Sequence, residues 1–232
     1  MKNIVVFGAN GPTGRLLVEQ ALEQGNHVTA VTRRPDDFPI SHDHVAVLAG
    51  DVHNRDDVDR AVAGQDAVLS ALGVPFGREA VTVYSDGITH ILAAMHSHDV
   101  RRLVCVSSSA TEPNPRPQGG FFFEKVLQPF VVGVLGRTVY ADMRRMEALV
   151  AASELDWTIV RPSGLFNSAE VSAYRTDEGH TDGRYTSRAD LAAAMLRQLD
   201  DDSYSRRIVA VATDEGQPTM FQLITSEGLK KS

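Results

Sequence analysis

The sequence predicts a single α/β domain built on a doubly wound parallel sheet of Rossmann type. Short apolar runs alternate along the chain with longer segments of helical period, and the runs are continuously apolar, as in strands covered on both faces. The first run is followed at once by a glycine-rich turn that opens a helix. With 232 residues, of which 43% are hydrophobic and 23% charged, the chain is long enough for one large domain.

Each predicted strand is an apolar run, and the predicted helices repeat their apolar residues with a period of about 3.6. The predicted strands are residues 4–7, 27–32, 45–49, 67–72, 103–107, 158–160 and 208–212. The predicted helices are residues 13–24, 55–63, 88–98, 143–152 and 187–199. Gly25 and Gly64 stand where the first two helices end, because glycine readily closes a helix in the left-handed conformation.

The alternation loosens after Pro162, where residues 163–184 are polar and contain three glycines. In open α/β sheets, ligands bind beyond the carboxyl ends of the strands. We therefore expect residues 1–232 to form one domain, in which residues 163–232 are a small extension that supplies substrate-side loops, a helix and a late strand.

The turn after the first strand reads GANGPTG, a G-x-x-G-x-x-G variant of the dinucleotide-binding fingerprint. The first glycine permits a tight turn, the second leaves bare backbone for the pyrophosphate, and the third lets helix and strand pack closely. The amino terminus of the helix offers free N–H groups to the phosphates. The predicted cofactor contacts of this turn are Gly8, Asn10, Gly11, Pro12, Thr13 and Gly14.

The end of the second strand indicates which dinucleotide binds. An acidic side chain there would bond the ribose 2′-hydroxyl of NAD, whereas arginine accommodates the 2′-phosphate of NADP. Arg33 and Arg34 follow Thr32, and no carboxylate precedes Asp36. The sequence therefore predicts NADP(H) over NAD(H), with Arg33 as the first candidate and Arg34 as the second. Two solvated loop arginines are the alternative.

Two further strand ends supply candidate cofactor contacts. Asp51 and Val52 follow the third strand, where a carboxylate can meet the adenine amine. Ala71, Leu72 and Gly73 follow the fourth strand and would form a floor beside the cofactor. Ordinary turn chemistry accounts for either stretch equally well.

Several stretches together resemble a known family: GANGPTG, TRR, GDV, residues 62–68 and residues 156–162. They resemble the atypical short-chain dehydrogenase/reductases with NmrA-like NAD(P)-binding domains, and most of all the flavin reductase/biliverdin-IXβ reductase type. The resemblance covers residues 2–212 and implies NADPH-dependent reduction of a flavin or a similar flat conjugated acceptor, such as a quinone or tetrapyrrole. Relatives also include proteins that bind the dinucleotide without turnover, so a non-catalytic NADP(H)-binding redox sensor of NmrA type is the alternative.

The fifth strand ends at Ser107 and Ser108, where short-chain reductases keep a catalytic hydroxyl beside the nicotinamide. By similarity to the flavin reductases, Ser108 is the first candidate and Ser107 the second, and a serine that caps the strand end is the alternative. Arg161, Pro162 and Ser163 are expected to line the nicotinamide by backbone contact. Some relatives carry a histidine where Ser163 stands, which argues against biliverdin as the substrate.

Tyr140 is the third catalytic candidate. Ordinary short-chain enzymes use Y-x-x-x-K, in which the lysine makes the tyrosine proton labile, and here Arg144 stands in the lysine position. An arginine lowers the pKa of a nearby phenol by its charge, but it stays protonated and cannot relay a proton. Pairing of Arg144 with Glu147 on the surface is the alternative. Direct hydride transfer, as in the flavin reductases, needs no tyrosine.

The remaining features restrict the partners. The apolar residues 121–135 are interpreted as a lid or aromatic wall, or else as a core helix or dimer interface. A net charge of −7 leaves no basic footprint for nucleic acid, and no run reaches the roughly 20 apolar residues that span a bilayer. One cysteine, Cys105, fits a reducing compartment, so a cytoplasmic location is expected. We expect a small-molecule acceptor, flavin- or quinone-like, no metal, no nucleic acid, no membrane, and a monomer or homodimer.

Overall fold

The computed structural model describes residues 1–77, 79–112 and 136–214. The strands are β1 (Asn3–Phe7), β2 (His27–Thr32), β3 (Val45–Ala49), β4 (Ala67–Ser70), β5 (Arg102–Val106), β6 (Asp156–Pro162), β7 (Gly164–Phe166), β8 (Tyr174–Glu178), β9 (Tyr185–Ser187) and β10 (Arg207–Thr213). The helices are α1 (Pro12–Glu23), α2 (Arg55–Val62), α3 (Val83–Ser97), α4 (Arg137–Ala151) and α5 (Arg188–Arg197). The predicted apolar stretch 121–135 lies outside the described residues.

Eight strands form one sheet in the order β3-β2-β1-β4-β5-β6-β10-β8. Neighbouring strands run parallel except β10 and β8, which are antiparallel. The strand order reverses between β1 and β4, and ligands of doubly wound sheets bind in front of such a switch point. β7 and β9 form a separate pair of parallel strands. The predicted fold class is confirmed.

Two apolar cores cover the two faces of the sheet. One contains buried residues of α2, α3 and α4, and the other contains buried residues of α1 and α5. Because strands such as β1 are buried on both faces, they read as unbroken apolar runs rather than as alternating patterns. Among the described helices, none is long and apolar enough to cross a membrane.

Two helices begin earlier than the sequence predicts, α3 at Val83 and α4 at Arg137. For α3, the reason is a tertiary contact that hydrophobic periodicity cannot reveal. The fully buried Asp142 carboxylate of α4 accepts hydrogen bonds from the backbone N–H groups of Tyr84 (2.9 Å) and Ser85 (3.3 Å). These donors lie in the first turn of α3, where helix N–H groups have no intrahelical partner, so Asp142 stabilises that turn.

The polar segment 163–184 contains strand structure that the sequence analysis missed. It includes β7 and the edge strand β8, in which Arg175 and Glu178 are exposed. Charged residues are common on edge strands because they discourage pairing with other chains, and they hide the apolar alternation that marks a strand. The segment therefore contributes to the main sheet as well as to loops at its carboxyl edge.

Candidate functional site

The glycine turn is held between β1, α1 and the end of β4. Gly8 has a φ of +78°, and a Cβ there would lie 2.5 Å from the carbonyl oxygen of Ala71. A Cβ on Gly14 would lie 2.1 Å from the carbonyl oxygen of Gly8. Both distances are far below van der Waals contact, so these two glycines are required by the packing of the turn itself.

Gly11 is different, because its conformation does not need a glycine. It is the N-cap of α1, with φ −74° and ψ 163°, and a Cβ there would meet only the Gly8 carbonyl oxygen, at 3.3 Å. It has no side chain that could cap the helix, and Pro12 occupies the first helical position. The turn therefore leaves space and free N–H groups at the amino terminus of α1, which suits a phosphate.

A charged residue beside this turn was missed by the sequence analysis. Arg15 donates from Nε and Nη2 to Asn10 Oδ1, at 3.0 and 2.7 Å, which fixes the Asn10 side chain. The guanidinium adds positive charge next to the turn. The only sequence signal for it is an arginine directly after the third glycine.

The two arginines after β2 have different surroundings. Arg34 is 77% exposed and pairs with Asp37, at 3.4 Å. Arg33 lies near Asp51, whose pKa is lowered first by a hydrogen bond from the His53 backbone and more weakly by the charge of Arg33. Since β2 and β3 are parallel neighbours, Arg33 and Asp51 meet at the carboxyl edge of the sheet.

The predicted adenine-side carboxylate is already partly engaged. Asp51 Oδ1 lies 3.0 Å from the His53 backbone nitrogen and 3.1 Å from His53 Nδ1, and His53 Nε2 lies 3.4 Å from Thr82 Oγ1. Val52 is buried, and its carbonyl oxygen lies 2.8 Å from His90 Nδ1. A contact between Asp51 and adenine stays a prediction. Of the two carboxylate oxygens of Asp51, Oδ1 contacts His53 and Oδ2 does not.

The loop after β4 forms an open floor. The Ala71 N–H donates to the Phe7 carbonyl (2.9 Å), which continues the sheet ladder, and a Cβ on Gly73 would meet nothing within 4 Å. The Val74 N–H donates to the Tyr84 hydroxyl, at 3.3 Å. Burial raises the pKa of Tyr84 to about 12, so this phenol is neutral and serves to hold the loop. Leu72 packs against the core under it.

The structure brings together Ser108 and Tyr140, two of the three residues predicted to carry the chemistry. Their side chains lie close enough for the Ser108 hydroxyl to lower the pKa of the Tyr140 phenol. Ser107, the third, directly follows β5, and only 2% of its surface is exposed. The Ser107 Oγ finds no hydrogen-bond partner among the described residues, although its N–H donates to Val160. A buried hydroxyl without a partner is uncommon, so a bound ligand or water is the expected partner.

Ser108 also acts as a capping residue, the role given in the sequence analysis as the alternative to catalysis. Its Oγ accepts from the Ala110 N–H, at 3.2 Å, and so caps the 3₁₀ turn Ser109–Thr111. Burial raises the pKa of Tyr140, and the nearby Ser108 hydroxyl opposes that rise only in part. The phenol is therefore protonated at neutral pH and can donate a hydrogen bond.

Arg144 does not pair with Glu147, and the predicted surface pair is wrong. Glu147 is only 8% exposed, and its carboxylate is held by Arg161 in a bidentate pair, at 2.8 and 2.7 Å. Arg144 instead donates from Nη1 to the Thr111 carbonyl, at 3.2 Å. Its guanidinium is directed to the turn after Ser108 and does not replace the lysine of Y-x-x-x-K.

The residues at the end of β6 and directly after it have most of their hydrogen-bond donors engaged. The Ser163 N–H donates to Thr186 Oγ1 (2.9 Å), and its hydroxyl donates to the Gly183 carbonyl (2.8 Å). Pro162 has no N–H, and the Arg161 side chain is buried away from solvent. The predicted backbone contact with the nicotinamide is thereby limited to carbonyl groups.

One aromatic residue at the site was not predicted. Phe76, in the loop after β4, is 53% exposed, and its ring centroid lies 5.8 Å from that of Tyr140 with the planes 55° apart. This geometry is typical of interacting aromatic rings. Phe76 therefore presents an exposed aromatic face beside the Ser108–Tyr140 pair.

These features define a Rossmann-type domain whose glycine turn lies at the switch point of the sheet. The chain matches the NAD(P)H-binding family over residues 8–202 and belongs to that family. It is 24% identical over 235 residues to oxidoreductase AgnL4 of Paecilomyces divaricatus, which covers 93% of this chain and 87% of the relative. The family assignment agrees with the resemblance inferred from the motifs and with the predicted dinucleotide cofactor.

Solved structures share the fold. A short-chain dehydrogenase/reductase from Veillonella parvula, in complex with NADP, has a TM-score of 0.75 at 20% identity, over 92% of this chain and 95% of that one. The anaerobillin reductase ChuY from Escherichia coli has a TM-score of 0.72 at 20% identity, over 94% of this chain and 100% of that one. At this level of identity the comparison confirms the fold.

Proposed function

We propose that this protein is an NADPH-dependent reductase that transfers hydride to a flavin or a similar flat conjugated acceptor. The observation that carries the proposal is the proximity of the Ser108 and Tyr140 side chains, with the buried Ser107 hydroxyl, unpartnered among the described residues, one residue before Ser108. Because β1, β4, β5 and β6 are parallel, this cluster and the glycine turn lie at the same edge of the sheet. The names of the relative AgnL4 and of the solved structures also support an oxidoreductase.

The residues of the chain are assigned two roles in the reaction. Bound NADPH supplies the hydride, and the chain positions the acceptor and holds a proton on Tyr140. Because burial raises the Tyr140 pKa and Arg144 is engaged elsewhere, this phenol is a weak acid. Such a site suits an electron-poor acceptor, for which hydride transfer is the demanding step and the proton is supplied by solvent or by the phenol.

Phe76 supports a flat acceptor. Its exposed ring stands beside Tyr140, where a conjugated ring system could stack against it. A Cβ on Gly73, in the same loop, would meet nothing within 4 Å, so the backbone there does not obstruct such a ring.

We expect Arg33→Met to weaken NADPH binding by about tenfold or more, since a charge-assisted contact with phosphate is worth about 1.5–3 kcal/mol. NADH has no 2′-phosphate, so its affinity should change less than about twofold. Fluorescence titration of both nucleotides measures the two dissociation constants. Arg34→Met is the matched control, because Arg34 pairs with Asp37. An equal loss for NADPH and NADH would contradict a phosphate role for Arg33.

The function itself is tested by NADPH oxidation with FMN, FAD, quinones and biliverdin as acceptors. We expect Ser108→Ala and Tyr140→Phe each to lower turnover by about 10-fold to 100-fold, with little change in NADPH affinity. Ser97→Ala, on the exposed end of α3, is the control for these two variants. Cys105→Ser is unsuitable as a control because that thiol is fully buried in the core.

A redox sensor of NmrA type is the second candidate. It is favoured by the raised pKa of Tyr140 and by the engagement of the Arg144 guanidinium with the Thr111 carbonyl. Tight NADPH binding without oxidation of NADPH by any acceptor in the panel would decide for the sensor and against the reductase.

A further inference from the structure

We propose that Arg144, Glu147 and Arg161 form a clamp on the turn from Ser108 to Glu112, and that this clamp sets the position of the Ser108 hydroxyl beside Tyr140. The three residues are positioning residues and do not touch the reacting atoms. The inference rests on the proposed reductase function for its catalytic consequence, whereas the clamp itself is defined by contacts alone.

The first half of the clamp is ionic. Arg161 on β6 is only 2% exposed, and it binds both carboxylate oxygens of Glu147 on α4. Its remaining Nη1 donates to Glu112 Oε2, at 2.8 Å. Glu112 immediately follows the 3₁₀ turn, so one guanidinium joins β6, α4 and the far end of the turn that begins at Ser108.

The second half of the clamp is made at Thr111. The Thr111 carbonyl accepts from Arg144 (3.2 Å), and its hydroxyl lies 3.2 Å from Glu147 Oε1. The same residue holds Ser108, because its N–H and hydroxyl lie 3.1 and 2.8 Å from the Ser108 carbonyl oxygen. A shift at Thr111 is therefore passed directly to Ser108.

The clamp is aligned with the phenol. Tyr140 and Glu147 are seven residues apart on α4, which is about two helical turns, so their side chains leave the same face of the helix. Ser108 contacts Tyr140. Glu112, at the far end of the turn that begins at Ser108, is joined to Glu147 through Arg161. The spacing on one rigid helix thus fixes where the Ser108 hydroxyl meets the Tyr140 hydroxyl.

Stability alone does not account for this arrangement. Burying an ion pair carries a desolvation cost that often equals its Coulomb gain, and apolar residues of the same volume commonly stabilise a core as well. A buried pair does, however, fix geometry, because its hydrogen bonds are directional. Here the fixed geometry lies between the two elements that carry the candidate catalytic hydroxyls.

The clamp is tested with Glu112→Gln, because Glu112 is 51% exposed and its loss should not unfold the protein. Glu178→Gln is the matched control: Glu178 is 57% exposed and also pairs with an arginine, Arg207, but far along the chain from the site. We expect kcat to fall about tenfold in Glu112→Gln, with acceptor KM and NADPH affinity within about twofold, since small misplacement of reacting groups is costly. The control should match the wild type.

A readout independent of turnover is hydrogen exchange at the Ala110 and Thr111 amides, both of which are bonded to Ser108. We expect exchange to become about tenfold faster in Glu112→Gln and in Arg144→Met, as local opening becomes easier, but not in Glu178→Gln. Unchanged exchange in both test variants would overturn the clamp. Faster exchange with unchanged kcat would overturn its positioning role.

The two proposals fail in different ways. If none of the acceptors supports oxidation of NADPH by the wild-type protein, the reductase function is refuted. The exchange rates alone then still decide whether the clamp holds the turn. If wild-type protein is active and Ser108→Ala lowers kcat while Glu112→Gln does not, the function stands and the positioning role of the clamp is refuted.

Discussion

Gly11→Asp is expected to abolish NADPH binding and to leave the chain folded and at least as stable as the wild type. The backbone at Gly11 has an ordinary extended conformation, and a Cβ there meets a single oxygen at 3.3 Å. Gly11 is also the N-cap of α1, a position where aspartate stabilises helices. The same carboxylate would stand where the pyrophosphate approaches and would repel it, so we expect the dissociation constant to rise by about 100-fold or more.

Two further variants separate the effect of charge from that of size, and the effect on binding from that on stability. Gly11→Asn has nearly the same size without the charge, so it should lose less affinity than Gly11→Asp. Gly14→Ala should instead lower the melting temperature, because its Cβ would lie 2.1 Å from a backbone oxygen. Thermal unfolding with and without NADPH measures both effects. Unchanged NADPH affinity in Gly11→Asp would show that the cofactor does not approach this turn.

The glycine turn was predictable because its determinants are local. The tight turn at Gly8 and the close packing at Gly14 both arise within seven consecutive residues, so the spacing in the sequence carries the geometry. The bounds of β2 and β3 also agree with the predicted runs. β2 is largely buried and leaves a continuous apolar record, whereas β3 is an edge strand that reads as apolar although it is only partly buried.

The tertiary polar contacts were not predictable. Asp142 and Glu147 lie on α4 among apolar residues, and a sequence pattern assigns such charges to the exposed face of a helix. Both are buried because their partners, the α3 amino terminus and Arg161, come from distant elements. Fully buried arginine is uncommon, so no general expectation places Arg161 in the core. The cluster of Ser108 and Tyr140 was reached only through the resemblance to a family.

Arg161→Met is expected to lower the free energy of unfolding by about 3–5 kcal/mol, which is the usual cost of removing one partner of a buried ion pair. Burial alone would lower the Arg161 pKa, but the hydrogen bonds of Glu147 and Glu112 outweigh it and raise that pKa, so the guanidinium stays charged. Without it, the Glu147 carboxylate stays buried with no cation beside it. Urea denaturation measures the change.

The double variant Arg161→Met, Glu147→Leu distinguishes an uncompensated charge from lost packing. Removing both ions leaves no buried charge, so we expect it to recover at least half of the stability lost in the single variant. A double variant as unstable as Arg161→Met would show that packing dominates. If the stability returns while kcat stays low, the ion pair is needed for the position of Ser108 and is dispensable for the fold, because apolar side chains can fill the core without holding the turn.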